Sequence, residues 1–145
     1  MTINISYFDG PNRTPAIPLI ARCWHELIEA NLILPVIPFG YDNHVLVAAE
    51  DGKPVGFITW NKAEWSKTAY ICLGYVLPEY RGKGIYRQLW NALVEKAREQ
   101  KLISIEGNTA IKNQAMRGSM LALGRTERGV IATFDIPPIS TVTPE

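Results

Sequence analysis

A short glycine-containing segment, RGKGIY at residues 81–86, has the residue types and the setting that suit phosphate binding. Its two glycines directly follow a run of strand-forming residues, and glycine lets the backbone approach a ligand closely. The helix predicted to begin here offers unpaired N–H groups and a positive dipole end, a combination that binds phosphate. Positive side chains at the same place are Arg81, Lys83 and Arg87. Taken alone, the segment is more simply explained as a glycine-rich turn between a strand and a helix.

The elements on either side place this segment between a strand and a helix. A continuous apolar and aromatic run predicts a central strand over residues 68–76. After the glycines, apolar residues recur on one face from Ile85 to Ala97, which predicts an amphipathic helix to about Gln100. Residues 102–106 follow as a short strand, and the helical crossover makes it parallel to the 68–76 strand.

The rest of the chain predicts a mixed sheet with helices packed on it. Asp51 and Gly52, between two β-rich runs, are typical of an antiparallel hairpin. Gly124 is suited to closing a helix. The further predicted elements are strands over 3–7, 45–50, 55–60 and 129–135, and helices over 16–34 and 111–123. The order β-α-β-β-β-α-β-α-β suits one domain over residues 1–136, followed by a loose tail over 137–145.

Composition favours an ordinary soluble protein. The chain has 145 residues, 47% hydrophobic and 20% charged, without an apolar run long enough to span a membrane. Its start has no secretory signal, so we expect the mature chain to begin there and to reside in the cytoplasm. A net charge of +1 argues against nucleic acid as a partner. Cys23 and Cys72 are too few and too far apart for a metal motif or a disulfide framework, and both are predicted to be buried, reduced thiols.

Residues 76–89 resemble motif A of the GNAT superfamily, the Gcn5-related N-acetyltransferases. The signature Q/R-x-x-G-x-G/A falls on Arg81, Gly84 and Tyr86. The resemblance extends upstream through VLVAAEDGKPVGFI and downstream to Asn113 and the later LALG, with the family's order of elements. It implies an α/β (α+β) fold: a mixed, mostly antiparallel central sheet with helices on both faces and a parallel strand pair splayed around an acyl-CoA cleft.

The resemblance also implies a cofactor, acetyl-CoA or another acyl-CoA. Val76 and neighbouring backbone would pair with the pantetheine arm, and the Val76 N–H would polarise the thioester carbonyl. Asn113 matches a family asparagine that contacts the same arm, or it caps the helix that follows it. The implied cofactor-binding residues are Val76, Arg81, Gly82, Lys83, Gly84, Ile85, Tyr86, Arg87 and Asn113.

Two residues depart from the family pattern. Tyr86 stands where the signature has Gly or Ala, so its side chain must point away from the phosphates or rearrange the loop. Met120 stands where the family carries the Tyr that protonates the departing thiolate. Substitute donors are Ser119, beside that position, and Tyr70, which is otherwise a core residue of its strand.

The general base and the acceptor pocket leave alternatives open. Glu106 ends the strand beside the expected thioester and is either the base or a solvated strand-end charge. Glu64 and His44, in predicted loops, have weaker claims to the same role. Four aromatic residues either line an acceptor pocket or belong to the core: Phe39, Tyr41, Trp60 and Trp65.

The leading hypothesis is an N-acyltransferase in which an acceptor amine attacks the thioester directly within a ternary complex. The acceptor is predicted to be a small-molecule or protein amine. A catalytically silent acyl-CoA-binding or regulatory protein is the alternative that Met120 supports. A lower alternative is that the loop binds a nucleotide other than CoA. No further clear strand follows residue 135, so an exposed sheet edge predicts a possible homodimer.

Overall fold

The computed structural model describes residues 1–10, 14–32, 44–62, 66–130, 132 and 134–139. Within these ranges there are five strands and three α-helices, and they follow one another in the predicted order up to the third helix. The strands are β1 (Ile3–Asp9), β2 (His44–Glu50), β3 (Lys53–Lys62), β4 (Thr68–Val76) and β5 (Ser104–Gly107). The helices are α1 (Ile17–Glu29), α2 (Ile85–Glu99) and α3 (Gln114–Ala122), with a short 3₁₀ turn at Pro78–Tyr80.

The strands form one sheet in the order β1-β2-β3-β4-β5. The first three pairings are antiparallel, whereas β4 and β5 are parallel. The β2–β3 hairpin turns at Asp51 (φ 49°) and Gly52 (φ 78°), both in the left-handed conformation that a two-residue type I′ turn requires. The predicted hairpin and the predicted parallel strand pair are both confirmed.

Helices α1 and α2 lie on opposite faces of this sheet, as two neighbouring residues of β4 indicate. The Tyr75 hydroxyl donates to Glu26 of α1 across 2.6 Å. Gly74 lies directly beneath Tyr86 of α2, whose ring atoms come within 3.0 Å of the position that a Cβ on Gly74 would take. Because consecutive strand residues point to opposite faces, the two helices sandwich the sheet. The fold predicted from the sequence is therefore confirmed.

The core contains the aromatic and aliphatic residues of the central strands and the apolar face of α2. Ile85, Leu89, Leu93 and Ala97 are all buried, as the helical periodicity predicts. Each large side chain buried in this way contributes about 1.5–3 kcal/mol relative to an exposed one. Their burial fixes the beginning of α2, and with it the glycine loop, against the end of β4.

The structure corrects the boundaries of two predicted helices. Helix α1 ends at Glu29, five residues before the predicted end, and Asn31 adopts a left-handed conformation (φ 54°) that stops it. Residues 33–43, which include the end of the prediction, lie outside the described ranges. Helix α3 begins at Gln114, three residues later than predicted, because Asn113 caps it.

The strand predicted over residues 129–135 is wrong for the part of it that the structure describes. Residues 129, 130, 132, 134 and 135 are irregular and exposed, and Val130 and Phe134 are 91% and 82% exposed. Strand propensity mainly reflects packing against neighbouring strands, so a β-rich sequence without a pairing partner does not form a strand.

In the part of the chain that the structure describes, no helix is long and apolar enough to cross a membrane.

Candidate active site

A cleft opens where β4 and β5 diverge. Their parallel ladder ends at the pair Ile71 and Gly107, although β4 continues to Val76. The space between them measures about 660 Å³ with open solvent included, so the cleft is open to solvent rather than an enclosed cavity. The lining residues come from α1, β4, the start of α2, and the chain from β5 to just beyond α3: Trp24, Leu27, Leu32, Ile71, Cys72, Leu73, Gly74, Tyr86, Gly107, Asn108, Thr109, Asn113, Met116, Met120 and Arg125.

A β-bulge in β4 lies where the two strands separate. Thr59 pairs with Leu73 while the next residue, Trp60, pairs with Ile71, so Cys72 is the extra residue. The buried Thr59 hydroxyl accepts a hydrogen bond from the Leu73 N–H at 3.1 Å, which satisfies the backbone at the irregularity. Bulges bend a strand and increase its twist. This bulge therefore accounts for the turning of β4 away from β5 immediately after the last ladder pair.

Beyond the bulge, β4 presents backbone groups to the open side. The Leu77 N–H donates to the Val55 carbonyl at 2.9 Å. Because hydrogen-bonding directions alternate along an antiparallel strand, the N–H and C=O groups of Val76 and Gly74 point away from β3. The Val76 carbonyl indeed accepts a 2.8 Å hydrogen bond from Arg81 Nε rather than from β3. An extended, amide-containing ligand can pair with this edge as an added strand would.

The glycine loop ends in a helix N-terminus that no side chain caps. Gly82 and Gly84 have φ values of 76° and 79°, and Gly84 is the N-cap of α2. The first intrahelical bond runs from the Gln88 N–H to the Gly84 carbonyl at 3.1 Å, so the N–H groups of residues 85–87 have no intrahelical acceptor. A Cβ at either glycine would meet nothing within 4 Å, so the loop faces open space. These features fit a diphosphate.

The basic side chains of the loop point in different directions. Arg81 extends to α1, where it donates to Glu26 at 2.9 Å, and it lies over the Tyr75 ring at 5.2 Å. Arg87 donates to the Ala122 carbonyl at 3.3 Å and so links α2 to the end of α3. Lys83 lies over the Tyr80 ring at 5.3 Å. The Arg81 guanidinium thus fixes α1 against the strand end, and the main chain is the principal source of donors facing the loop.

The contact between Glu26 and its partners shifts two pKa values. Burial alone would raise the pKa of Glu26, but hydrogen bonds from Tyr75 and Arg81, with the charges of Arg81 and Arg22, outweigh it and lower the pKa. Burial, followed by the bond to Glu26, raises the pKa of Tyr75 to about 12. Glu26 is therefore ionised and Tyr75 neutral at physiological pH, which maintains this link between α1 and β4.

Tyr86 reaches from α2 across the cleft to β4. Its Cε2 and Oη lie 2.9 and 3.0 Å from the position that a Cβ on Gly74 would occupy, so only glycine leaves room for the ring. Burial raises the pKa of Tyr86, and the nearby charge of Arg125 partly offsets that rise. The side chain thus points into the cleft, toward β4. The pairing of Tyr86 with Gly74 was not anticipated from the sequence, where the only signal is a glycine inside an apolar strand.

Arg125 is a second cleft residue that sequence reasoning missed. Its guanidinium lies over the Trp90 ring at 5.1 Å, and its Nη2 lies 3.0 Å from the position of a Cβ on Gly107. Burial lowers the pKa of Arg125, with an opposing effect from Tyr86. None of the ion pairs among the described residues includes Arg125. No sequence motif identifies this residue, because the fold after α3 brings it back to the cleft.

Asn113 and Met120 both line the cleft. The Asn113 side chain accepts a hydrogen bond from the Met116 N–H at 3.1 Å and so caps α3, which leaves its amide N–H groups for other partners. Capping and ligand contact are thus compatible for this residue. Met120 lies one turn beyond Met116 on the same helix, and both side chains contribute to the lining.

The other residues proposed for catalysis lie away from the cleft lining. Glu106 is exposed and pairs with Tyr70 in the parallel ladder. It points to the face opposite that of Gly107, because consecutive strand residues alternate. Neither Glu106 nor Tyr70 belongs to the lining, and the exposed Ser119 does not either. Their roles remain predictions.

The remaining candidates lie in the sheet or outside the described ranges, and His44 belongs to a strand rather than to the predicted loop. His44 lies at the start of β2, where its Nδ1 is 2.6 Å from the Tyr7 hydroxyl. Burial lowers the pKa of His44, opposed by Asp9. Trp60 is 1% exposed and stacks on His44, so the core alternative applies to it. Residues of the sequence predictions that lie outside the described ranges are Phe39, Tyr41, Glu64 and Trp65.

The two cysteines, which the sequence predicts to be reduced, are not joined by a disulfide in the structure. Cys23 is buried against the core, and burial, with the charge of Glu26, raises its pKa to about 12. Cys72 is half-buried and is the bulge residue that lines the cleft. Cys23 is therefore buried as predicted, whereas the predicted burial of Cys72 is only partial.

Solved structures of acetyltransferases share this fold. An aminoglycoside acetyltransferase from an uncultured soil metagenomic sample, in complex with trehalose, has a TM-score of 0.71 and 18% identity, covering 94% of this chain and 96% of its own. Ribosomal-protein-alanine N-acetyltransferase from Brucella melitensis biovar Abortus 2308 has a TM-score of 0.67 and 19% identity, covering 94% and 99%. The aminoglycoside N-acetyltransferase AAC(6')-Iy, in complex with CoA, has a TM-score of 0.67 and 16% identity, covering 93% and 100%.

Sequence comparison identifies the family. No curated protein matches the chain. The sequence profile of the acetyltransferase (GNAT) family matches residues 14–124, which include the cleft-lining residues up to α3 and the whole glycine loop. Acetyl-CoA is the acyl donor that this family uses. The chain belongs to the acetyltransferase (GNAT) family.

Proposed function

We propose that this protein is an acetyl-CoA-dependent N-acetyltransferase that transfers the acetyl group to a primary amine. The observation that supports it most directly is the uncapped N-terminus of α2 at one end of a cleft whose wall is the open edge of β4. The N–H groups of the loop would hold a diphosphate, and the backbone of Val76 and Gly74 would pair with a peptide-like arm. An acyl-CoA has both parts in one molecule.

The proposed position of the thioester follows from the direction of β4. Val76 is five residues from Arg81 along the chain, whereas the apex of the cleft at Ile71 is five residues further back. At about 3.3 Å per residue, β4 therefore offers roughly 17 Å of edge between Val76 and the apex. The N–H groups of the loop would hold the diphosphate of acetyl-CoA, and its acyl group would lie toward the apex. In this proposal, diphosphate binding and acyl transfer take place at different ends of the cleft.

Transfer requires that the carbonyl be polarised and the amine deprotonated. In our proposal a backbone N–H of β4 would donate to the carbonyl oxygen as its charge develops. The Val76 N–H, the donor predicted from the sequence, lies at the loop end of the cleft, whereas the Gly74 N–H points the same way and lies about 7 Å nearer the apex, so Gly74 is the proposed donor. Glu106 is the proposed base, and it would act through water, because its exposed side chain lies outside the cleft lining. The amine attacks the carbonyl without a covalent enzyme intermediate.

The acceptor is a small-molecule or protein amine. Structures of similar fold include enzymes named for aminoglycosides and for a ribosomal-protein alanine. In this chain the wall opposite α3 comes from α1, through the side chains of Trp24 and Leu27. An apolar and aromatic wall of this kind suits the carbon skeleton that carries the amine.

Calorimetric titration of acetyl-CoA against a matched pair of variants tests donor binding. Gly84→Asp places a carboxylate at the loop, and Gly52→Asp places one at the remote β2–β3 turn. The two glycines have nearly equal φ values, 79° and 78°, and open space around both, so the backbone strain is matched. We expect Gly84→Asp to weaken binding roughly tenfold or more through repulsion of the phosphates. Equal affinity in the two variants contradicts the proposed donor site.

Release of free CoA distinguishes an enzyme from a silent binding protein. Acetyl-CoA is incubated with the wild type and a panel that contains an aminoglycoside and a peptide with N-terminal alanine. CoA release that depends on the amine supports the proposed transferase. Tight acetyl-CoA binding with no release for any amine supports the silent acyl-CoA-binding alternative that Met120 suggested.

A further inference from the structure

The cleft contains few groups with the acidity needed to protonate a departing thiolate. A thiol such as cysteine has a pKa of about 8.5, and its donor must be acidic enough to give up a proton yet protonated at neutral pH. Within the described lining, the phenol of Tyr86 and the thiol of Cys72 meet this condition. The Thr109 hydroxyl and the amides of Asn108 and Asn113 are far less acidic. Arg125 retains its proton throughout.

Cys72 is poorly directed for this role. Its Sγ donates to the Tyr70 carbonyl at 3.8 Å, within the strand to which it belongs. The Tyr86 hydroxyl, by contrast, makes no hydrogen bond with the described residues and lies beside Gly74. Gly74 is three residues beyond the last ladder pair, at the part of β4 whose backbone groups point to the open edge. The phenol is thus placed beside the open edge of β4, between Val76 and the apex of the cleft.

Tyr86 and Met120 line the same cleft. Tyr86 extends from the first turn of α2, and Met120 from α3, and both line the cleft. A phenol at either position can therefore supply a hydroxyl to one region. Tyr86 in the glycine signature and Met120 on α3, the two departures from the family pattern, therefore have one explanation: the phenol is supplied by α2 instead of α3.

We infer that the Tyr86 hydroxyl donates a proton to the leaving CoA sulfur, a role that rests on the proposed acetyl transfer. As the amine nitrogen forms its bond to the acetyl carbon, the carbon–sulfur bond breaks with its electron pair on sulfur. The phenolic proton moves to that sulfur, so CoA leaves as a thiol. The phenolate recovers a proton from solvent, and the proton lost by the amine passes through water to Glu106, the proposed base.

The surroundings keep Tyr86 protonated at neutral pH and stabilise its anion in the reaction. Burial raises the pKa of the phenol, so it holds its proton before transfer. Arg125, from the chain after α3, is the charged residue of the described lining, and it opposes part of that rise. Cys72 of β4 is the other titratable neighbour, while α1 and α3 contribute no charged side chain to the lining.

Calorimetry with CoA and desulfo-CoA, which lacks the thiol, detects the contact without turnover. At pH 9 the bound thiolate accepts a charge-assisted hydrogen bond, so we expect the wild type to prefer CoA by about tenfold or more. At pH 6 the preference shrinks to about threefold, since a neutral thiol is a weak acceptor. Tyr86→Phe loses the preference at both pH values. Tyr7→Phe, which removes another phenol whose pKa is raised by burial, retains it.

Turnover with the amine panel then tests the catalytic step. We expect Tyr86→Phe to lower kcat by about 10²-fold, with little change in the KM for acetyl-CoA, and Met120→Tyr in that variant to restore about tenfold. A Tyr86→Phe variant with wild-type kcat, pH profile and CoA preference overturns the role of Tyr86 alone. A wild type that releases no CoA with any amine overturns the proposed function, and with it this step.

Discussion

Adding one methyl group at Gly74 tests the close fit between β4 and Tyr86. A Cβ there would lie 2.9 Å from Tyr86 Cε2 and 3.0 Å from Oη, whereas carbon atoms in contact ordinarily lie 3.5–4.0 Å apart. The ring must therefore retreat by about 0.5–1 Å. Overpacking of this kind costs about 1–3 kcal/mol, and replacing a strand glycine by alanine returns about 0.5–1 kcal/mol. We expect Gly74→Ala to lower the free energy of unfolding by about 1 kcal/mol.

The sign of this effect depends on Tyr86. In a Tyr86→Ala background the ring is gone, so Gly74→Ala should instead raise the free energy of unfolding by about 0.5–1 kcal/mol. Urea unfolding of the wild type, both single variants and the double variant measures the coupling. Gly118→Ala is the control, because this helical glycine has no neighbour within 4 Å and alanine should stabilise both backgrounds by about 1 kcal/mol. A Gly74→Ala effect of the same sign and size in both backgrounds refutes the fit described here.

Three further predictions concern the residues around the cleft. Because the pKa of Glu26 is lowered by folding, its stabilising effect is present above its unfolded pKa and is lost as pH falls through the folded one. Glu26→Gln should therefore lower Tm at pH 7, and this loss should shrink progressively as the pH is lowered below the ordinary range of a carboxyl group; a loss of constant size throughout an acid titration contradicts this. Asn113→Ala should cost about 1 kcal/mol of stability as a lost cap and also weaken acetyl-CoA binding, measured by calorimetry, while Asn113→Asp restores the cap alone. If Asn113→Asp binds as the wild type does, the residue is only a cap. Glu106→Gln should lower kcat and alter the acidic limb of the pH profile without changing acetyl-CoA affinity, and full turnover with an unchanged profile would leave Glu106 as a strand-end charge.

Local signals in the sequence were sufficient for the elements that build the donor site. The burial of Ile85, Leu89 and Leu93 follows from their spacing alone, because a helix with that spacing has one apolar face. The Asp51-Gly52 turn likewise follows from residues that adopt positive φ readily. Both features depend on contacts within a few positions of the chain. The glycine loop between β4 and α2 could also be predicted from neighbouring residues alone.

The divergence of β4 and β5 could not be predicted from neighbouring residues alone. It depends on the bulge at Cys72, which arises from the register between β3 and β4 and is stabilised by the Thr59 hydroxyl. Nothing in the residues around Cys72 marks it as extra, since the same apolar run would pair regularly with a different register. Arg125 was missed for a related reason: its place over Trp90 depends on how the chain returns after α3.

A motif assigns chemistry to a position in the sequence, whereas a reaction needs a group at a position in space. Met120 alone indicates a missing proton donor, and Tyr86 alone indicates a disturbed phosphate loop. The two positions are far apart in the chain, yet α2 and α3 bring both side chains to one cleft, and Gly74 provides the room that the phenol needs. If a donor can move between helices in this way, Gly74 is as necessary as the phenol, because any larger residue there displaces the hydroxyl. Members of this fold that carry tyrosine at the end of the glycine signature should therefore also carry glycine at the facing position of β4, and a larger residue there would argue against this account.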